Sequence, residues 1–155
     1  MTYMLYTDGS AQPNPGHGGW AYLIEHEGTR LEMSGEVPGE TTNNRAEFFA
    51  LIKGLVAVPE GEEVTVVTDS EQVRLAIKGM RHPKKNKDLL AAIYALVAAR
   101  HVTVERIAGH NGNANNERVD ALAHAEAKGG NVEVNKTRGT DREKGTKCSL
   151  TEMSS

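Results

Sequence analysis

Val64-Thr65-Val66-Val67-Thr68-Asp69-Ser70 is the stretch that decides the fold class. Five β-branched residues in a row describe a strand buried on both faces, as the strands of parallel sheets are. From Ser70 onward, Val73, Ile77 and then Gly79 give the outline of a short helix. Upstream, Ala46, Phe49, Ala50 and Lys53 recur at helical spacing with Ile52, Leu55 and Val56, which predicts an amphipathic helix ending near Pro59. Thr41-Thr42-Asn43-Asn44 offers N-cap candidates for it. Downstream, Asp88 to Arg100 reads as helix, Val102 to Ile107 as strand and Asn116 to Lys128 as a last helix. Arg81 to Lys87 is a basic turn, and Gly109 to Asn115 a flexible loop.

Ahead of these, Tyr3 to Thr7 is an apolar run halted at Asp8-Gly9-Ser10, and Ala11 to Gly19 reads as a Pro/Gly loop. Trp20 to Glu25 and Thr29 to Val37 complete a meander of three strands, ended by Pro38-Gly39. A meander followed by strands alternating with helices implies an α/β fold with a mixed sheet.

The 155 residues fit one domain. We expect it to end at residue 128, with 129–155 a disordered tail, because large apolar residues nearly vanish there. A single cysteine, Cys148, precludes an internal disulfide and points to a reducing compartment. The N-terminus lacks a signal-peptide pattern, and no apolar run approaches a membrane span, so a cytoplasmic protein is expected, with monomer the default. Net charge is −3; residues 128–155 carry +2 and the other 127 residues −5. That balance argues against a polyanion binder held by bulk electrostatics. Cations bound among carboxylates would give such a chain a reason to approach phosphate. No G-x-x-x-x-G-K-[ST] segment occurs, which excludes a P-loop enzyme.

Asp8 and Asp69 each follow an expected buried strand, where an open α/β sheet presents its ligand crevice. Glu47 lies in the first turns of one helix and Asp120 in the last helix. Taken singly, each has an ordinary explanation. Asp before Gly or Ser is most often a turn residue or cap, and a helical Glu or Asp usually a solvated face. If Asp8 and Asp69 end adjacent strands, however, their carboxylates lie close, which requires a proton or cation between them. Hard oxygen ligands without Cys or paired His select Mg²⁺, with Mn²⁺ as substitute. Two such ions about 4 Å apart suit in-line phosphoryl displacement.

The surroundings of these carboxylates resemble one family. Thr7-Asp8-Gly9-Ser10 with Asn14-Pro15-Gly16-x-Gly18-Gly19 is similar to the first signature of type 1 ribonuclease H. Thr41-Thr42-Asn43-Asn44-Arg45-Ala46-Glu47 is similar to the second and Thr68-Asp69-Ser70 to the third. Gly109-His110-x-Gly112 leading to Asn116-Glu117-Arg118-x-Asp120 is similar to the fourth. The resemblance implies the ribonuclease H-like fold, a five-stranded mixed sheet of order 3-2-1-4-5 flanked by helices. It implies two divalent metals on Asp8, Glu47, Asp69 and Asp120, and an endonuclease that hydrolyses the RNA strand of RNA–DNA hybrids to 5′-phosphate and 3′-hydroxyl ends.

Within that resemblance, Asn14, Asn43 and Asn44 suit 2′-hydroxyls and base edges across the minor groove, although Asn43 or Asn44 could equally cap the helix. Thr42 and Asn86 resemble the family's pocket for a phosphate of the DNA strand. His110 occupies the position that assists catalysis or release of the cleaved phosphate. Two departures stand out. The Gly79–Asp88 segment is short and lacks the tryptophan of a basic protrusion, and Glu71 stands where relatives often carry a neutral amide. The competing readings are a non-catalytic hybrid-binding module, disfavoured by a net acidic core with 5% aromatics, and another nuclease of the same superfamily.

Overall fold

The computed structural model describes residues 2–80, 85–108 and 112–129. Its strands are β1 (Tyr3–Gln12), β2 (Gly16–His26), β3 (Thr29–Thr41), β4 (Glu63–Thr68) and β5 (His101–Arg106). Its helices are α1 (Asn43–Val56), α2 (Glu71–Ile77), α3 (Lys87–Ala98) and α4 (Ala114–Ala127). The five strands form one mixed sheet in the order β3-β2-β1-β4-β5, as expected. β1, β2 and β3 are antiparallel neighbours, whereas β1–β4 and β4–β5 are parallel.

Side-chain alternation gives the sheet two apolar faces. On one, Leu5, Val64 and Val66 pack with Phe48, Leu51 and Leu55 of α1, Val73 of α2 and Leu90 and Ile93 of α3. On the other, Tyr6, Leu23 and Val67 pack under Val119, Leu122 and Ala123 of α4. The expected two-sided burial of β4 is therefore realised, with Val66 on one face and Val67 on the other.

Three local expectations change. Ala11 to Gly19 is not a loop: β1 runs on to Gln12, β2 starts at Gly16, and only Pro13-Asn14-Pro15 turn. The glycines there serve close packing rather than a bend. A Cβ on Gly19 would meet the backbone and side chain of α4 at Ala123, Ala127 and Glu126. Pro38-Gly39 does not end β3 either, because a register irregularity opposite His17/Gly18 absorbs both residues and the strand resumes to Thr41. Along α1 the fully buried aromatic is Phe48 rather than Phe49, and Val56 is exposed. Adjacent phenylalanines leave the apolar face ambiguous in sequence, and the sheet chooses it.

Candidate active site

Asp8 does not follow its strand, as expected from sequence, but lies inside it. β1 keeps its antiparallel pairing with β2 as far as Gln12, while its parallel ladder with β4 stops at Tyr6–Val67. The carboxylate thus stands two residues past the end of the parallel ladder, on the face that carries Tyr6 and Val67. Asp69 immediately follows β4, and continuing the same register would set it opposite Asp8. Ser70 then caps α2, its Oγ accepting from Val73 N at 3.1 Å.

Glu47 comes from the other direction, in the first turns of α1. Thr42 is the N-cap of that helix, its Oγ1 accepting from Arg45 N at 3.2 Å. Gly9 lets α1 approach. A Cβ there would overlap the Ala46 carbonyl group and the Glu47 nitrogen, so the helix backbone rests directly on β1 beside Asp8. Sequence reasoning passed over Gly9, because Asp-Gly is read first as a turn.

The result is a tight cluster. One carboxylate oxygen each from Asp8, Glu47 and Asp69 lies within 4.8 Å of the others. Asp8 is only 5% exposed. Burial, then the Glu47 charge, push its carboxyl up to about 10, with the neighbouring Asp120 and Asp69 adding to the shift. Burial and the Asp69 charge push Glu47 up to about 8, against the partial relief of a hydrogen bond from Asp8 and the Gly9 N–H. Glu47 Oε1 is shielded from solvent and has no hydrogen-bond partner among the described residues. An orphaned carboxylate oxygen among like charges fits a hard divalent cation better than it fits a purely structural role. Asp120 stands at the rim, outside the trio. Its carboxyl hydrogen-bonds Asp8, and its Oδ1 is 3.6 Å from His124 Nδ1 on the next turn of α4.

The asparagines are tied together. Asn43 Oδ1 accepts from Ala11 N at 2.8 Å, and Asn14 Oδ1 accepts from Asn43 N at 3.1 Å. Neither Asn43 nor Asn44 caps α1, since Thr42 does; Asn44 is exposed in the first turn. Asn86 precedes α3 in the left-handed region (φ 61°), and its Oδ1 accepts from Arg45 Nη1 at 3.1 Å. His110 lies outside the described residues. Glu71 is neither a loose carboxylate nor part of the trio. It pairs with Arg74 at 2.7 Å and with Arg106, at the end of β5, at 3.4 Å. Hydrogen bonds from Arg74 hold its carboxyl below the usual value. Its negative charge is thereby offset locally.

A family model described as RNase H matches residues 1–128. Among curated proteins, the ribonuclease H of Oleidesulfovibrio alaskensis is 38% identical over 142 residues, covering 83% of this chain and 92% of that one. Among solved structures, the N-terminal RNase H domain of a Mycobacterium tuberculosis protein is similar with a TM-score of 0.69 at 27% identity, covering 82% of this chain and 94% of that one. LC11-RNase H1 in complex with an RNA/DNA hybrid is similar with a TM-score of 0.64 at 30% identity, covering 81% and 96% respectively.

Proposed function

The chain belongs to the ribonuclease H family and is a ribonuclease H enzyme, and from that premise we propose that it cuts the RNA strand of RNA–DNA hybrids internally with the help of two divalent cations. The observation that carries the metal-dependent reading is the convergence of Asp8, Glu47 and Asp69, none of which has an ion pair among the described residues. Those three, with Asp120 at the rim, would hold the ions, Mg²⁺ by the hardness of the donor set and Mn²⁺ as substitute. Once bound, such a pair supplies Lewis acidity, lowering the pKa of the attacking water and neutralising charge on the departing oxygen.

The chain's own residues do the rest. Asp8 and Glu47 release protons to become ligands, so occupancy rises with pH. Water adds to phosphorus as the P–O3′ bond breaks, which leaves a 5′-phosphate on one fragment and a 3′-hydroxyl on the other. His110 is assigned an auxiliary part in moving protons or freeing the cleaved phosphate. Asn14 and Asn43 have their oxygens committed to backbone N–H groups, which leaves their amide nitrogens as donors. Minor-groove acceptors occur on every base pair and 2′-hydroxyls on every ribonucleotide, so donors there bind without regard to sequence. Asn44 joins them on the exposed first turn of α1. Thr42 and Asn86 are assigned a phosphate of the DNA strand.

LC11-RNase H1, similar over most of this chain, was solved with an RNA/DNA hybrid, which supports that substrate class. The catalytic domain is assigned to residues 1–128 and the remainder to an appended tail; a cytoplasmic monomer completes the reading. Among the described residues no helix is long and apolar enough to cross a membrane.

The decisive test is digestion of an end-labelled hybrid beside the matching DNA and RNA duplexes, with Mg²⁺ or with EDTA. Cleavage of the hybrid alone, only with Mg²⁺, to 3′-hydroxyl ends is expected. Cutting in EDTA, or equal cutting of the RNA duplex, would refute the reading.

A further inference from the structure

Arg45 lies between the helix cap Thr42 and the cluster residue Glu47, yet its side chain turns away to α3. Its backbone N–H donates to Thr42 Oγ1 at 3.2 Å, and its Nη1 donates to Asn86 Oδ1 at 3.1 Å. A guanidinium has donors only, so the Asn86 atom facing it must be the carbonyl oxygen, and the amide NH₂ must point elsewhere. The Thr42 hydroxyl accepts from a backbone N–H, so its own proton is likewise directed to another acceptor. The backbone of residue 45 thus engages the acceptor atom of Thr42 and the Arg45 side chain that of Asn86.

Two further observations separate this from incidental pairing. Asn86 occupies the N-cap position of α3 but makes no side-chain cap bond, and it holds a left-handed backbone that costs a non-glycine residue about 1 kcal/mol. Its side chain is spent on Arg45 rather than on its own helix. The guanidinium is meanwhile chelated by Asp88, Nη1 to Oδ1 at 3.1 Å and Nη2 to Oδ2 at 3.0 Å. The Arg45 charge is thus locally compensated and its planar fork fixed, which suits an orienting group better than an anion's direct partner.

We infer that Arg45 is a positioning residue whose guanidinium turns the Asn86 amide into an outward donor beside the helix-cap Thr42, for a backbone phosphate of the DNA strand. The inference rests on the assignment of those two residues to a DNA phosphate made above. It explains how two residues of mixed hydrogen-bonding character acquire a preference for an anion.

The test uses the full chain and hybrids carrying one neutral methylphosphonate at successive positions of the DNA strand. The wild type should show one position at which the neutral linkage raises KM by roughly tenfold or more, the value of a hydrogen bond to a charged group, with kcat little changed. Asn86→Ala and Arg45→Met should each become indifferent to that position while cutting the unmodified hybrid with a similarly raised KM. The double variant should be no worse than either single one, since the two act as a unit. Arg45→Met that keeps the wild-type discrimination would overturn the role of Arg45 while leaving the phosphate assignment standing. A wild type indifferent at every DNA position would overturn the assignment itself, and Arg45's role with it. Should Arg45→Met be unfolded at the assay temperature, Asp88→Ala, an exposed change that releases the fork, must weaken the same discrimination. Discrimination intact in Asp88→Ala would then count against the inference.

Discussion

Two charged clusters on this sheet have opposite character. At the α4 side of β2 and β3, Arg30 bonds Glu25 at 3.2 Å and Glu32 at 3.1 Å, and Arg118 of α4 closes on Glu32 at 2.9 Å. Burial opposes the charge on Glu32, but hydrogen bonds from Arg118 and Arg30 outweigh it and hold the carboxyl below its ordinary value. At the β1–β4 end, Asp8, Glu47 and Asp69 crowd together with no ion pair among the described residues, and Asp8 and Glu47 are pushed upward instead. The chain can evidently neutralise its acids when stability alone is at stake. Three acids brought together without such compensation among the described residues are what the proposed cation site would require.

The largest effect should come from breaking the uncompensated cluster. Asp8→Asn is expected to lower hybrid cleavage by roughly a thousandfold or more, since metal stabilisation of the transition state amounts to several kcal/mol. The same change should raise the melting temperature of the metal-free protein by roughly 3 °C or more, because it removes the cost of keeping a buried carboxyl protonated at neutral pH. Parent activity in Asp8→Asn, read in the hybrid assay, would remove the metal-ligand assignment. Gly9→Ala tests how the cluster is assembled. With the α1 backbone directly in the way, it should cost about 3 kcal/mol in urea unfolding and also impair cleavage.

The two clusters should also respond to pH with opposite sign. Asp8 and Glu47 keep protons in the folded state that the unfolded chain has lost, so stability from this source is complete below about pH 4. It falls as pH rises toward about 8 for Glu47 and about 10 for Asp8. Melting of the EDTA-treated protein should therefore drop between pH 5 and 8, and millimolar Mg²⁺ should reverse the drop. A flat profile unaffected by Mg²⁺ would contradict the cluster's electrostatics. Glu32, held low by its arginines, contributes stability present above about pH 4 and lost on acidification. The smallest effect belongs here. Arg118→Met should cost about 1 kcal/mol in the same unfolding experiment, after allowance for solvent screening, and leave cleavage unchanged.

Much of this arrangement was legible in the sequence. The β-branched run at Val64 to Thr68 and the helical spacing after Asn43 depend on local periodicity, which a single segment carries in full. Turn chemistry was less dependable. Pro13, Pro15, Gly18 and Gly19 all signal a loop, yet Gly18 and Gly19 are strand residues made small by what packs on them. The four carboxylates could be singled out because they sit in short motifs that resemble a family. Gly9 and Arg45 lie inside the same motifs and were passed over, because their significance is what they touch.

The sequence by itself determined the α/β class and the strand and helix order, and it singled out the four acidic residues to which the proposed chemistry is assigned. Only the tertiary structure decided that Asp8 stands inside β1 two residues past the end of its ladder with β4, that Glu47 meets it across Gly9, and that Arg45 joins Asn86 and Asp88 from 41 and 43 residues away. Periodicity and turn preference are properties of neighbouring residues, whereas these contacts arise between segments that meet only after the sheet and its helices have packed.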